Sequence, residues 1–261
     1  MQDPYITKPS VYLIGRQTVV EEELARFLQD EGLAFTTDSP FAAEVLSEIA
    51  GRTCYMSFGK GRKSNREYLE NILSSKHGSV LEHAVWCLLI TGVSRALTHE
   101  LVRHRAGFGY SQLSQRYVDE SDARYVVPPL YQENEELRRK WQQTIEGLRA
   151  AYLELAEATS QYVQQKHPDM PPRDRRKWAR QAARSILPNA TETKIFVTGN
   201  SRAWRHFLEQ RGSAHADTEI RLLAIEVFHA LKKDSPAIFQ DVELVDEPDG
   251  MPSIRVLHSK V

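Results

Sequence analysis

Residues 135–166 carry Trp141, Ile145, Leu148, Tyr152, Leu155 and Tyr162 at helical spacing, a single apolar stripe on an otherwise polar segment. The spacing predicts one long helix, which the prolines within 168–172 break. A strongly basic helix over 173–187 follows, closed by Pro188 and Asn189. Whatever else the chain builds must sit beside a helical lobe at about 135–187.

The rest of the chain does not alternate strand and helix regularly. A short apolar run at 11–14 suits a strand, and 21–29 suits a helix. Asp38, Ser39 and Pro40 signal a turn and cap for a helix bearing Ala43, Val45, Leu46 and Ile49, which Gly51 should stop. The segment GKGRKS (59–64) reads as a surface loop, because its glycine spacing and lack of a preceding strand do not fit a Walker-type phosphate loop. A helix on Tyr68, Leu69, Ile72 and Leu73 should end near Lys76, and a strand over 82–91 should end at Gly92. Ser94 caps a helix through Leu97 and Leu101 that ends in Arg103, His104 and Arg105, after which Gly107 and Gly109 lead the chain away. Short strands are expected at 125–127 and 194–198, and Asn200 and Ser201 should form a turn before a helix over 202–211. Asp217 or Thr218 caps a helix with Ile220, Leu223, Ala224, Val227, Phe228 and Leu231 on one face. The tail predicts a hairpin of 242–245 and 254–257 around Asp249 and Gly250. Hairpins with long helices imply an α+β fold, a mixed, mostly antiparallel sheet packed with long helices, in one domain spanning 1–261.

Bulk charge narrows the function classes. With 41% hydrophobic and 26% charged residues and a formal net charge of -1, the chain has no global attraction to nucleic acid or anionic membrane. An anion site must therefore be a local concentration of charge. Cys54 and Cys87 make no disulfide framework, which implies a reducing cytoplasm. No leader pattern and no apolar run of roughly 20 residues is present. A soluble intracellular protein without nucleic-acid or membrane partners is expected.

Local charge concentrates in 103–117, RHRAGFGYSQLSQRY. Basic residues in a last helical turn can simply offset the macrodipole, contributing about 0.3–1 kcal/mol. Consecutive helical residues point about 100° apart, so three cations in a row serve a ligand only by wrapping it around the helix end. The following Ser111, Gln112, Ser114, Gln115 and Arg116 are either a solvated loop or, pinned by Phe108, Tyr110, Leu113 and Tyr117, donors for an oxyanion or a base edge. Arg173, Arg175, Arg176, Lys177 and Arg180 read mostly as a solvated helix face, whereas Arg184 precedes an apolar stretch where the helix end should dip inward. Arg202, His206 and Gln210 share a face near the anion-favouring helix entry at Asn200.

His77, His83, His99, His104, His206 and His215 form no HExxH pair, and neither cysteine has ligand spacing, so no metal is expected. Cys87 sits within an apolar strand and Cys54 has only Arg52 as a near cation in sequence, which argues against a cysteine nucleophile. Cations, amides and hydroxyls without a nucleophile, metal cage or carboxylate dyad suit a site where an anionic cofactor does the hard chemistry. An RNA-binding module on the basic helices is the rival, disfavoured by the near-neutral charge, and a histidine-metal hydrolase is third.

RHR followed by YSQLSQRY resembles the signature of the flavin-dependent thymidylate synthases. HGSVLEH (77–83), SRALTHELVRHR (94–105), RQAARSILPNATET (180–193), TGNSRAWRHFLEQR (198–211) and HADTEIR (215–221) resemble further family blocks in family order, across about 51–239. The resemblance implies a homotetramer with active sites at subunit interfaces. It would bind FAD and dUMP, take a methylene from methylenetetrahydrofolate and reducing power from NADPH, and need no enzyme cysteine. Carried over by position, Ser79, Arg103, His104, Arg105, Gln112, Asn200, Ser201, Arg202 and His206 would contact FAD. Glu100, Leu101, Val102, Arg103, Gln112, Leu113, Ser114, Gln115, Arg116 and Arg184 would hold dUMP. Arg211 would favour the ionised uracil, and His77 would be a site residue of open role. The family usually places seven residues between RHR and the motif serine, whereas 106–113 here is eight, the extra one falling in AGFG.

Overall fold

The computed structural model describes residues 3–62 and 64–259, so Lys63 of the 59–64 loop lies outside the described residues. Contact density divides the chain into two compact units, one of 1–9, 91–101 and 111–195, the other of 10–90, 102–110 and 196–261. The fold is mixed α+β with antiparallel sheet, as the sequence pattern implied. Among the described residues no helix is long and apolar enough to cross a membrane.

The first unit holds β1 (Tyr5–Ile6), α4 (Arg95–Leu101), β5 (Tyr125–Val126), α5 (Pro129–Gln132), α6 (Glu135–Lys166) and α7 (Pro172–Ala183). The second holds α1 (Glu21–Asp30), α2 (Ala42–Tyr55), α3 (Asn65–Ser74), α8 (Ser201–Arg211), α9 (Thr218–Asp234) and the hairpin of β7 (Val242–Val245) and β8 (Ser253–Val256). A four-stranded sheet runs in the order β2 (Ser10–Arg16), β3 (Val85–Ser94), β6 (Glu192–Asn200), β4 (Phe108–Gln112). Three of the unit boundaries fall inside β3, β4 and β6, and the other two lie at the start of β2 and the end of α4. β1 pairs in parallel with β5, and β7 pairs antiparallel with β8 with Val242 opposite Val256.

Helix α6 forms over the expected residues because its ends are well provided. The Asn134 side chain accepts from Leu137 N at 3.0 Å, Glu135 and Glu136 occupy the positive N-terminal turn, and Lys166 the last. Ile145 and Tyr152 are buried, but Leu155 and Tyr162 are 43% and 59% exposed. The stripe 141, 148, 155, 162 repeats every seven residues, and a straight helix drifts about 20° per heptad, so its far end rotates out of the core. Val163, one position on, takes the buried place.

Two glycines expected to end elements do not. Helix α2 runs through Gly51 to Tyr55 and stops at Met56, whose φ of 44° is left-handed. Gly51 is needed for space instead, since a Cβ there would lie 2.2 Å from the Tyr68 hydroxyl oxygen. Strand β3 likewise continues past Gly92 to Ser94, and its start at Val85 leaves residues 78–83 to a 3-10 turn. The amide of Gly92 donates to Glu192 Oε1 at 2.9 Å, holding this bend within the strand.

Caps were more legible. Ser94 Oγ accepts from Leu97 N at 3.0 Å, and Asp217 Oδ1 from Glu219 N at 2.9 Å. Ser39 does not cap α2, whose N-cap is Phe41; Ser39 Oγ accepts from Phe41 N at 3.2 Å and donates to Glu44 at 2.5 Å. The expected α9 face is buried, and α9 packs on β2 and α8 around Trp86, Trp204, Phe207 and Phe239. Each such buried side chain contributes roughly 1.5–3 kcal/mol.

Candidate active site

Helix α4 ends at Leu101, so Arg103, His104 and Arg105 lie in the turn beyond it rather than in its last turn. Macrodipole compensation fades outside the terminal turn, so it does not account for these cations. Arg103 and Arg105 are exposed while the His104 ring turns inward. The turn is closed by Phe108 N donating to Arg105 O at 3.3 Å and by Tyr110 Oη donating to His104 O at 2.6 Å. Burial pushes the Tyr110 phenol up to about 12, so it stays a donor. Ser111 and Gln112 belong to β4, not to a solvated loop. Alternation puts Phe108 and Tyr110 on one side, where Phe108 meets the Trp204 ring edge-on at 4.8 Å.

The His104 ring is enclosed by Phe207, His206 and Phe108 at centroid distances of 5.4, 5.7 and 6.3 Å. Arg211 Nε donates to His104 Nε2 at 2.9 Å. Burial, then the neighbouring Arg211 and His206, lower the imidazole to about 4, so it is neutral and accepts at Nε2. On the same helix, Arg202, Ala203, Arg205, His206 and Glu209 line a cleft of ≈ 420 Å³ with Asn200, Ala106 and Gly107. Arg202 is ion-paired with Glu82 at 2.6 Å. Ser79, exposed, lies in the 3-10 turn that packs on α8. Ser201 is fully buried with its hydroxyl bonded to Leu81 O, so its side chain joins this turn to α8 and is not presented to a ligand. Arg205, grouped by sequence with the site cations, is buried in an ion pair with Asp241.

The first unit holds the segment 111–116 and the residues that bond to it. Gln112 Nε2 reaches Thr98 and Thr193 Oγ1 at 3.1 and 3.3 Å, and Arg116 Nε donates to Gln181 Oε1 at 3.1 Å. Ser114 is half-buried, with Oγ accepting from Arg116 N at 3.4 Å, and Gln115 is buried. Leu101 is wholly buried and serves packing, while Val102 is exposed and Glu100 half-buried. Lys177 and Arg180, assigned by sequence to a solvated face, instead hold the segment after QLSQR. Arg180 Nη1 donates to Tyr117 O at 3.1 Å and pairs with Asp119, and Lys177 lies 5.0 Å from the Tyr117 ring centroid.

One cation was missed. Arg95 Nη1 donates to Leu113 O at 3.2 Å, and burial and the nearby Arg184 lower its basicity, opposed by Glu120. The signal was available, because a cation in the first turn of a helix opposes the macrodipole and needs another reason to be there. Among the described residues no group of three His, Cys, Asp or Glu is placed to hold a metal ion.

The model of the Thy1 family, thymidylate synthase complementing protein, matches residues 38–237. Flavin-dependent thymidylate synthase of Mycobacterium tuberculosis (strain ATCC 25618 / H37Rv) is 48% identical over 228 residues, covering 86% of this chain and 89% of the relative. The proteins of the same description from Mycobacterium avium (strain 104) and Mycobacterium marinum (strain ATCC BAA-535 / M) are 48% and 47% identical over the same shares. The chain belongs to the Thy1 family.

The 105–108 turn is packed against the start of α8. Gly107 has φ +75°, and a Cβ on it would lie 2.9 Å from Ala203 Cβ and Asn200 Nδ2. Asn200 caps α8 through Oδ1, accepting from Ala203 N at 2.8 Å, while its own amide donates to Gly107 O at 3.2 Å. Gly107→Ala is expected to strain the backbone and disturb the cap, costing together roughly 2–3 kcal/mol. A urea midpoint equal to that of the unsubstituted protein would show that the turn is not tied to the cap.

Proposed function

We propose that this chain is a flavin-dependent thymidylate synthase that methylates dUMP to dTMP with methylenetetrahydrofolate as carbon donor. The observation that carries the reading is a cleft lined by Asn200, Arg202 and His206, with the His104 ring against His206 and bonded to Arg211, in a member of this family. FAD fits the residues present. The exposed Arg103, Arg105, Arg202 and His206 suit an anionic diphosphate. When bound and reduced by NADPH, FAD supplies the hydride. The chain's residues bind and orient. Arg103, His104 and Arg105 with Asn200, Arg202 and His206 hold the flavin nucleotide, and Gln112, Ser114, Arg116, Arg184 and Arg95 hold dUMP. The Arg211 guanidinium stabilises negative charge developing on the uracil.

This reading includes a homotetramer with sites at subunit interfaces, one domain per chain, and a cytoplasmic setting. Purified protein should show flavin absorbance and form dTMP only with folate donor and reductant together. Protein that neither binds FAD nor forms dTMP would refute it.

No cysteine is needed for attack on the uracil. Cys54 is exposed with Sγ 3.4 Å from Ala50 O, Cys87 Sγ lies 3.3 Å from Thr198 Oγ1, and neither lines the cleft. Cys54→Ala and Cys87→Ala should each keep dTMP formation within a few-fold. Loss of turnover in either variant with FAD still bound would reinstate a cysteine nucleophile.

A further inference from the structure

The bond between Arg211 and His104 joins two residues that would serve different ligands. An Nε–H pointing at an imidazole nitrogen needs a lone pair there, so the proton of His104 must be on Nδ1. The ring cannot easily swing away, because Phe207 and Phe108 meet it edge-on and the Tyr110 hydroxyl fixes its backbone carbonyl. A guanidinium is planar, so an acceptor fixed at Nε sets the plane in which Nη1 and Nη2 lie. The titratable and charged side chains facing the ring are His206 and Arg211, both from α8.

We propose that His104 is a positioning residue for Arg211, its neutral imidazole accepting from Nε so that the guanidinium plane is set for the pyrimidine. This rests on the thymidylate synthase reading and adds to it a physical coupling between the flavin-side turn and the residue that faces the uracil. His104 then matters to turnover even when flavin binding is saturated. An electrostatic stabiliser acts at full strength only when it is held in place before charge develops.

The test uses full-length enzyme loaded to equal flavin content, comparing His104→Ala, His104→Gln, Arg211→Ala and the His104→Ala, Arg211→Ala double variant. At saturating FAD, dUMP, folate donor and NADPH, His104→Ala should lose about 10- to 100-fold in kcat, the size expected for a charge-assisted hydrogen bond. His104→Gln, whose carbonyl can accept from Nε, should recover most of it. Adding His104→Ala to Arg211→Ala should lower kcat no further, the mark of two residues acting as one. Multiplying effects, or a His104→Ala defect that saturating FAD abolishes, would overturn the proposal. Nitrogen-15 NMR of the imidazole supplies a readout that needs no turnover. The protein should show the Nδ1–H tautomer near neutral pH and lose that preference in Arg211→Ala; a preference indifferent to Arg211 would also overturn it. If the unsubstituted protein makes no dTMP but the tautomer responds to Arg211, the functional reading fails while the bond stands.

Discussion

Arg211→Ala is expected to lower kcat by roughly 10²–10³-fold while leaving flavin binding intact, the loss that follows when one preorganised donor to a developing anion is removed. The residue sits at the C-terminal end of α8, half-buried, with Nε committed to His104 at 2.9 Å. Alanine removes a charge from a partly desolvated place, where it acts far more strongly than in water. Arg211→Lys separates charge from geometry, because an ammonium keeps the point charge but lacks the planar fork. It should fall between the other two. Single-turnover kinetics with pre-reduced flavin isolates the step concerned. Turnover of Arg211→Ala equal to that of the unsubstituted enzyme would remove Arg211 from the mechanism.

Where structure follows from local rules, the sequence was a good guide. The length of α6, the Ser94 cap and the buried face of α9 depend on residues within a few positions of one another. Several of the errors share one cause, that the deciding partner is far away in sequence. Gly51 resembles a helix stop, yet its purpose is to admit Tyr68, and Gly92 is retained in a strand by Glu192. Phe108 is held against Trp204 and Tyr110 against the RHR turn, and the strand they open runs on through the polar 111–112. The site was legible as residue types, but not as geometry. His104 and Arg211 were each expected to touch a ligand, and nothing in their spacing says that they touch each other.

Asp241→Ala should lower the melting temperature by roughly 6–20 °C, because removing one partner of a buried ion pair costs roughly 3–5 kcal/mol and each kcal/mol is worth some 2–4 °C in a chain of this size. Arg205 Nη1 and Nη2 meet Asp241 Oδ1 and Oδ2 at 2.7 and 2.8 Å, with side chains only 3% and 2% exposed. Nη1 also donates to Ile238 O at 2.8 Å, and the amide of His258 donates to Asp241 Oδ2 at 3.0 Å. Arg205 therefore lies on the same helix as Arg202, His206 and Arg211 but fixes that helix rather than reaching for a ligand. Burial alone would raise the Asp241 carboxyl, but the hydrogen bonds and charge of Arg205 outweigh it and hold the group below its ordinary value. The native state thus binds this proton less readily than the unfolded chain does. The stabilisation is full above the unfolded carboxylate pKa and is lost as pH falls through the folded one. Asp241→Asn, which keeps the shape without the charge, should flatten that acid limb in melts followed by circular dichroism between neutral pH and pH of about 3. A shift below about 2 °C for Asp241→Ala, under what the loss of one kcal/mol would produce, would mean that the guanidinium finds water or another acceptor and that α8 is held by its apolar face alone.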